Sequence, residues 1–386
     1  MRNYVNLAVP TMPLLVAEKR GGGKNEDHSR IADVLNHRLQ KYAIGVPGWL
    51  QTNLNGFGVL QNNSVVAIAP FGGQLYVGTY NSSGNGAQLW RTGSPWTSVM
   101  TNGFGDVTNQ GMDYLIEFNS QLYASTYNWN NATNATTGGQ IWRSTNGTTW
   151  NQVVTTGFGD STNGEIWRMA VFNSQIYAST WSFTNTHGAE IWRSNSGDAG
   201  SWSRVVSNGF GDPTNTGIAG LGSFNGYLYA GVSNWNSTTS TSTGGTVWRS
   251  ASGDLGTWNQ VSTAGFGSAN NDRVMSFAGF NGALYAGTRN WTTGIEIWRC
   301  TTCDNGGSWT QVVGPAGSIG SGFGKITNGR LETLLVFNNM LYATTYNNNT
   351  GGVIGTGAEV WRTANGTNWE QVGFAGFGDR DRKSVV

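Results

Sequence analysis

The sequence predicts an all-β fold of repeated four-stranded antiparallel sheets, and three observations carry that expectation. A Gly-Phe-Gly triplet recurs at intervals of 47, 54, 52, 56, 57 and 54 residues, counted between Phe57, Phe104, Phe158, Phe210, Phe266, Phe323 and Phe377. Between successive triplets the same four phrases return in the same order. Each phrase is short, rich in Tyr, Trp, Val, Ile and Thr, and bounded by Gly, Asn or Ser, which is strand chemistry.

The first phrase, strand a, is an apolar run ending in Phe, as in WRMAVF or LETLLVF. A tight turn (NSQ, NGY, NGA) leads into strand b, LYAGT or IYAST, and Asn-Gly between two such runs favours a type I′ hairpin. A variable loop precedes strand c, IWRS or a close relative. A Gly-rich turn then leads to strand d, which begins at a tryptophan and runs to the triplet. Four strands per period of about 50 residues is the signature of a β-propeller blade. A single such sheet cannot bury both apolar faces, so the blades must stack.

Thirteen of the 18 tryptophans recur at fixed places, strand c (Trp90, Trp142, Trp192, Trp248, Trp298, Trp361) and strand d (Trp49, Trp96, Trp150, Trp202, Trp258, Trp309, Trp369). Recurrence in every blade marks packing, and the arginine after each strand-c tryptophan falls under the same reading.

The strands divide the chain into an extension, 1–48, and a propeller, 49–378. The propeller holds a surplus outer strand (49–58) and six blades at about 59–105, 106–159, 160–211, 212–267, 268–324 and 325–378. In the extension, Ile31, Val34, Leu35, Leu39 and Tyr42 form one helical stripe, which predicts an amphipathic helix at about 29–43. Strand d occurs seven times and the others six. The closing DRKSVV of the tail, 379–386, resembles a translated sequencing adapter. A seven-bladed ring in a longer natural protein is therefore expected, with the strand at Trp49 waiting for a, b and c partners beyond residue 378.

Charged residues make up 11% of the chain and the net charge is +1. That balance argues against nucleic acid or an anionic membrane as partner, since both need a basic face. No apolar run reaches the ~18 residues of a membrane span. The Asn-, Thr-, Gly- and Trp-rich, lysine-poor composition points to an extracellular or cell-surface protein, although the N terminus makes a poor export signal.

The c–d turns carry a family resemblance. TCDNGGSW, 302–309, resembles the Asp-box (BNR-like) pattern of sialidases and other bacterial propellers. SGDAGSW and SGDLGTW are one residue short of it, and STNGTTW and TANGTNW are further relaxed. In that family the box is a folding device away from catalysis, so the resemblance implies architecture. Its Asp or Asn oxygen is expected to accept backbone N–H bonds across the turn. The layout is also similar to lectin propellers, without a matching sugar-site motif.

Four further tryptophans lie in b–c loops: Trp129, Trp181, Trp235 and Trp291. Three stand in a local phrase, after Asn128, Asn234 and Asn290, and Tyr80, Tyr127 and Tyr346 open three of the b–c loops. An aromatic plane flanked by amides suits a sugar ring, which offers a C–H face and hydroxyls. The same residues also suit loop packing. A glycan or other extracellular ligand is therefore the expected partner.

Near the start of strand a, Arg168, Arg273 and Arg330 accompany Asp113, Glu165, Asp272 and Glu332, in the strand expected to line a central channel. Paired carboxylates there suit the acid–base work of a glycoside hydrolase, or simply ion pairing in a wet channel. The channel-pairing reading is favoured, and no residue is assigned as catalytic. The d–a loops supply Asp106, Asp160 and Asp212, and an asparagine starts strand a in all six blades (Asn62, Asn109, Asn163, Asn215, Asn271, Asn328). Oxygen-rich loops can hold Ca²⁺, but no ligand spacing supports it, and turn bonding is the expectation. No cofactor is expected. Cys300 and Cys303, the only cysteines, are expected to form a disulfide across their turn.

Overall fold

The computed structural model describes residues 2–4, 15–20, 28–33, 38–43, 49–93, 95–373 and 375–378, with side chains described from residue 52 onward. The fold is an all-β propeller of four-stranded blades, with six complete repeats. Repeat 2 stands for the others. Its strands are Asn109–Phe118 (a), Gln121–Asn128 (b), Ile141–Ser144 (c) and Asn151–Val154 (d). They pair antiparallel in chain order, with Ala124 opposite both Leu115 and Trp142. Asn119 and Ser120 in the a–b turn have φ 48° and 58°, the left-handed pair that a type I′ hairpin requires.

The core lies between neighbouring sheets. One apolar cluster joins Ala69, Tyr76 and Leu89 of repeat 1 to Met112, Leu115 and Leu122 of repeat 2. Another joins Tyr229 and Val247 of repeat 4 to Phe277, Leu284 and Trp309 of repeat 5. Each sheet therefore hides its face against the next, as the stacking argument requires.

The Gly-Phe-Gly triplet is a left-handed turn. Gly209 and Phe210 have φ 56° and 63°, a conformation that costs a residue with a side chain about 1–2 kcal/mol. The return is an aromatic trio. Phe210 stacks on Trp248 at 4.5 Å between centroids and meets the edge of Trp258 at 5.7 Å. Phe104 does the same with Trp142 and Trp150, and Phe323 with Trp361 and Trp369. Two aromatic contacts at roughly 0.5–1.5 kcal/mol each, plus burial of the ring, outweigh the backbone strain. The recurrent tryptophans of strands c and d are packing residues.

The c–d turns of repeats 3 and 4 dock on the repeat before them. The Tyr123 hydroxyl reaches the carbonyl of Ser196, and Arg143 pairs with Asp198 at 2.6 Å. Tyr177 and Arg193 repeat this with Ser252 and Asp254. The expected role of the turn's acidic residue is therefore corrected in these two repeats. Asp198 and Asp254 face an arginine of the previous repeat, while Ser194 and Ser250 accept the backbone N–H of Gly197 and Gly253. Asn146 and Asn365 do accept backbone N–H groups across their own turns.

The helix expected over 29–43 gives way to two strands, His28–Asp33 and Arg38–Ala43, paired antiparallel; Val34 and Leu35 lie outside the described residues. Arg38–Ala43 in turn pairs with Trp49–Gln51. With Leu15–Arg20 and Arg2–Tyr4 these strands make a five-stranded sheet. The strand at Trp49 thus takes its partners from the residues before it. An edge strand leaves a row of unpaired backbone donors and acceptors, and pairing them outweighs the helical stripe.

The chain forms two compact units. The first holds the N-terminal sheet, repeats 1 and 2, strand a of repeat 3 as far as Met169, and the turn Ser194–Trp202. The second holds the rest of repeat 3 and repeats 4 to 6. The turn of repeat 3 belongs to the first unit because it docks on repeat 2.

Candidate ligand-binding rim

Strand b of repeats 1 to 5 outruns its own strand c and pairs near its end with strand a of the next repeat. In the first unit this gives a paired row, Ser64–Tyr80–Gly111–Tyr127–Glu165. In the second it gives Trp181–Gly217–Ser233–Arg273–Arg289–Arg330–Tyr346. On strand b the flanking positions hardly change from repeat to repeat, whereas the row itself changes from glycine to tryptophan and from glutamate to arginine. Beside the row, strand a slips register between Gly111 and Tyr114 and between Leu331 and Thr333, so Asp113 and Glu332 stand on bulges. Bulges re-aim side chains and cluster near functional sites.

In the first unit, Asp113 and Glu165 are buried and hydrogen-bonded to each other, with the Arg168 charge nearby. Burial pushes the Asp113 carboxyl up to about 6, against the Glu165 bond and Arg168, which pull it down. Arg168 is buried, donates to the Trp167 carbonyl at 2.8 Å and lies 5.1 Å from the Trp167 ring centre. The rings of Tyr80 and Tyr127 meet edge to face at 5.9 Å. Burial, then the charges of Asp113 and Glu165, raise the Tyr80 hydroxyl, so it stays a neutral donor.

The second unit is guanidinium-rich. Arg289 holds Asp272 through two hydrogen bonds, one of 2.7 Å from Nε, and Arg330 pairs with Glu332. Arg330 also covers the Tyr346 ring at 4.6 Å, and Tyr346 meets the edge of Trp291 at 5.7 Å. Trp291 lies so close over Gly329 that a β-carbon there would fall 2.0 Å from the indole. Arg273 lies over Trp181 at 4.8 Å.

The b–c loops divide the expected residues. Asn128, Asn234 and Asn290 are buried, and their amides hold their own loops together. Asn128 accepts from the Thr137 backbone at 2.8 Å and donates to Asn109 at 3.0 Å, and Asn234 does the same with Thr243 and Asn215. Asn290 accepts from Thr292 and Thr293. The strand-a asparagines continue this network; Asn109 and Asn215 each donate to the first Gly carbonyl of the preceding triplet. Asp106, Asp160 and Asp212 each accept from the threonine two residues on. Trp129, Trp181 and Trp291 are half-buried, and Trp235 is the most open at 38%. Asn131 donates to the Ser82 carbonyl, and Asn185 to that of Trp235, so neighbouring loops are tied together.

Cys300 and Cys303 are joined by a disulfide, inside the core cluster shared by repeats 4 and 5. Sequence reading passed over Ser233, Arg289 and Gly217. Aligning the strand-b residue that follows Thr79, Thr126, Thr180, Val232, Thr288 and Thr345 would have singled out Ser233 and Arg289.

The four carboxylates considered for acid–base work are all engaged. Asp113 and Glu165 share a hydrogen bond, far closer than the roughly 5–9.5 Å that holds a glycosidic centre between two carboxyls. Asp272 and Glu332 are neutralised by arginines. What the rim offers is fixed aromatic faces beside guanidinium and hydroxyl donors.

No known family matches the sequence, and no curated protein is significantly similar to it. Solved structures share the fold. A puromycin hydrolase aligns at 10% identity and TM-score 0.55 over 92% of this chain and 53% of its own. The chain thus spans about half the length of that neighbour. The GH93 alpha-L-arabinofuranosidase of Fusarium graminearum, determined with arabinobiose, aligns at 15% identity and TM-score 0.44, over 85% and 96%. The fucose-specific lectin from Aleuria aurantia aligns at 14% and 0.43, over 82% and 96%. Identities this low speak for the fold alone.

Proposed function

We propose that this chain is a non-catalytic carbohydrate-binding propeller of the cell surface or extracellular space, which takes sugars on the aromatic residues of its rim and b–c loops. One observation carries the reading. In a chain whose repeats agree at nearly every core position, the strand-b residue in the rim row varies among Tyr80, Tyr127, Trp181, Ser233, Arg289 and Tyr346. Packing would repeat one residue there. Variation at an aromatic- and guanidinium-rich edge is what recognition of an asymmetric ligand needs. Sugars fit because an indole or phenol face accepts their C–H surface while arginine and tyrosine donate to their hydroxyls.

The competing reading, a glycoside hydrolase using Asp113, Glu165, Asp272 or Glu332, is less well supported because those groups are paired with one another or with arginine. A glycan array tests the proposal: binding that falls in Trp129→Ala, Trp235→Ala and Trp291→Ala supports it, and binding unchanged in all three removes it. Glycoside turnover lost in Glu165→Gln or Glu332→Gln would establish the competing reading instead.

A further inference from the structure

Repeat 4 interrupts the rim. Where strand b of repeats 1, 2 and 6 places Tyr80, Tyr127 and Tyr346 in the rim row, repeat 4 has Ser233, and the residue opposite it is Gly217. Ala219 and Gly220 extend this small-residue stretch along strand a. The two flanking side chains lean across the gap. Trp181 pairs by backbone with Gly217, and Arg273 pairs with Ser233, yet the guanidinium carbon lies 4.8 Å from the Trp181 ring centre. Side chains that start on either side of two intervening rim positions therefore meet above them.

Beneath that roof the Ser233 hydroxyl is fully buried and has no hydrogen-bond partner. In-register partners direct their side chains to one face of a sheet, so the hydroxyl faces the space that Gly217 leaves empty of side chain. A buried hydroxyl without a partner is destabilising, and alanine there would avoid the cost. Alanine fits wherever serine fits, so packing alone gives no reason for the oxygen.

We infer that Gly217 and Ser233 form the floor of a single-sugar subsite, and that the Trp181–Arg273 pair is its movable cover. This rests on the carbohydrate-binding reading above and locates its principal subsite. When Arg273 swings off the indole, a pyranose ring stacks on the exposed Trp181 face. Ser233 then bonds one hydroxyl, and the displaced guanidinium bonds others. Opening the cover gives up the cation–π contact between Arg273 and Trp181.

The test uses the whole chain and the methyl glycosides of glucose, galactose, mannose, fucose, xylose and N-acetylglucosamine, titrated calorimetrically beside a glycan array. Ser233→Ala should weaken binding of the preferred glycoside about tenfold while leaving thermal stability equal or slightly higher. Ser233→Tyr installs the residue of repeats 1, 2 and 6 and should abolish binding by filling the floor. Arg273→Ala should weaken binding, and it serves with Ser233→Ala as the deciding pair if the tyrosine variant fails to fold. Wild-type binding that is unchanged in Ser233→Ala and Arg273→Ala overturns the subsite and leaves the carbohydrate reading standing. No binding by the wild type to any array glycan or methyl glycoside overturns both.

Discussion

The Tyr123 hydroxyl donates to the carbonyl oxygen of Ser196 across 73 residues of sequence, fastening strand b of repeat 2 to the c–d turn of repeat 3. The turn comes this close only because residue 197 is glycine. Its φ is +75°, and a β-carbon there would lie 2.2 Å from the tyrosine oxygen. Gly197→Ala is therefore expected to cost about 2 kcal/mol or more in urea unfolding. In a Tyr123→Ala background the steric part of that loss should vanish, giving a coupling of at least about 1 kcal/mol in a double-mutant cycle.

The disulfide replaces a hydrogen bond used by the sister repeats. Cys300 stands where Ser144, Ser194, Ser250 and Thr363 accept a backbone N–H, and Cys303 stands where Gly147, Gly197, Gly253 and Gly366 donate it. Cys303 even keeps the left-handed backbone, at φ 52°. Reduction is expected to destabilise the protein by about 2 kcal/mol, the scale for so short a closed loop. The double variant Cys300→Ser/Cys303→Gly should unfold at the same denaturant concentration with and without dithiothreitol.

Asp113 gives the stability a pH dependence of definite sign. Its folded-state pKa of about 6 lies above the ordinary carboxylate value, so the folded state holds the proton more tightly than the unfolded chain. Its contribution to stability is therefore fully present below about pH 4 and is lost as pH rises through 6. Asp113→Asn, neutral at every pH, should narrow the stability difference between pH 5 and pH 8 by on the order of 1.5 kcal/mol in urea titrations. Asp198 acts in the opposite sense. Bonds from Ser196 and Arg143 hold its pKa down, so its stabilisation is present at neutral pH and is lost on acidification.

Asn128 and Asn234 should behave as structural residues in any binding assay. Replacing either with alanine strands the backbone N–H of Thr137 or Thr243 and should cost about 1–3 kcal/mol. Thermal unfolding checks this, with the melting temperature falling before any effect on ligand affinity of the folded fraction. Trp235→Ala, at an open position, should leave the melting temperature nearly unchanged.

The architecture was written in the sequence because it is written six times. Phe210, Trp248 and Trp258 have counterparts in the same order in every repeat, and recurrence at the same place in the repeat reports packing without any coordinates. The Asn-x turns and the strand phrases were legible for the same reason, since hairpin chemistry and alternation are local properties. The extension was misread because Ile31, Leu39 and Tyr42 fit a helical stripe. Their strand conformation depends on backbone partners contributed by other segments, among them Trp49–Gln51.

Composition and spacing alone thus determined a stacked, four-stranded β fold and its recurrent aromatic core. Only the tertiary structure decided which of the loop residues are buried and which are open. Asn128 and Trp129 are adjacent in sequence, yet the amide is buried in the loop's own hydrogen bonds and the indole is half open. Trp181 and Arg273 are 92 residues apart in the numbering and become neighbours only because Gly217 and Ser233 between them are small. Burial and cross-strand register are properties of the assembled sheets, and a linear pattern of side chains does not contain them.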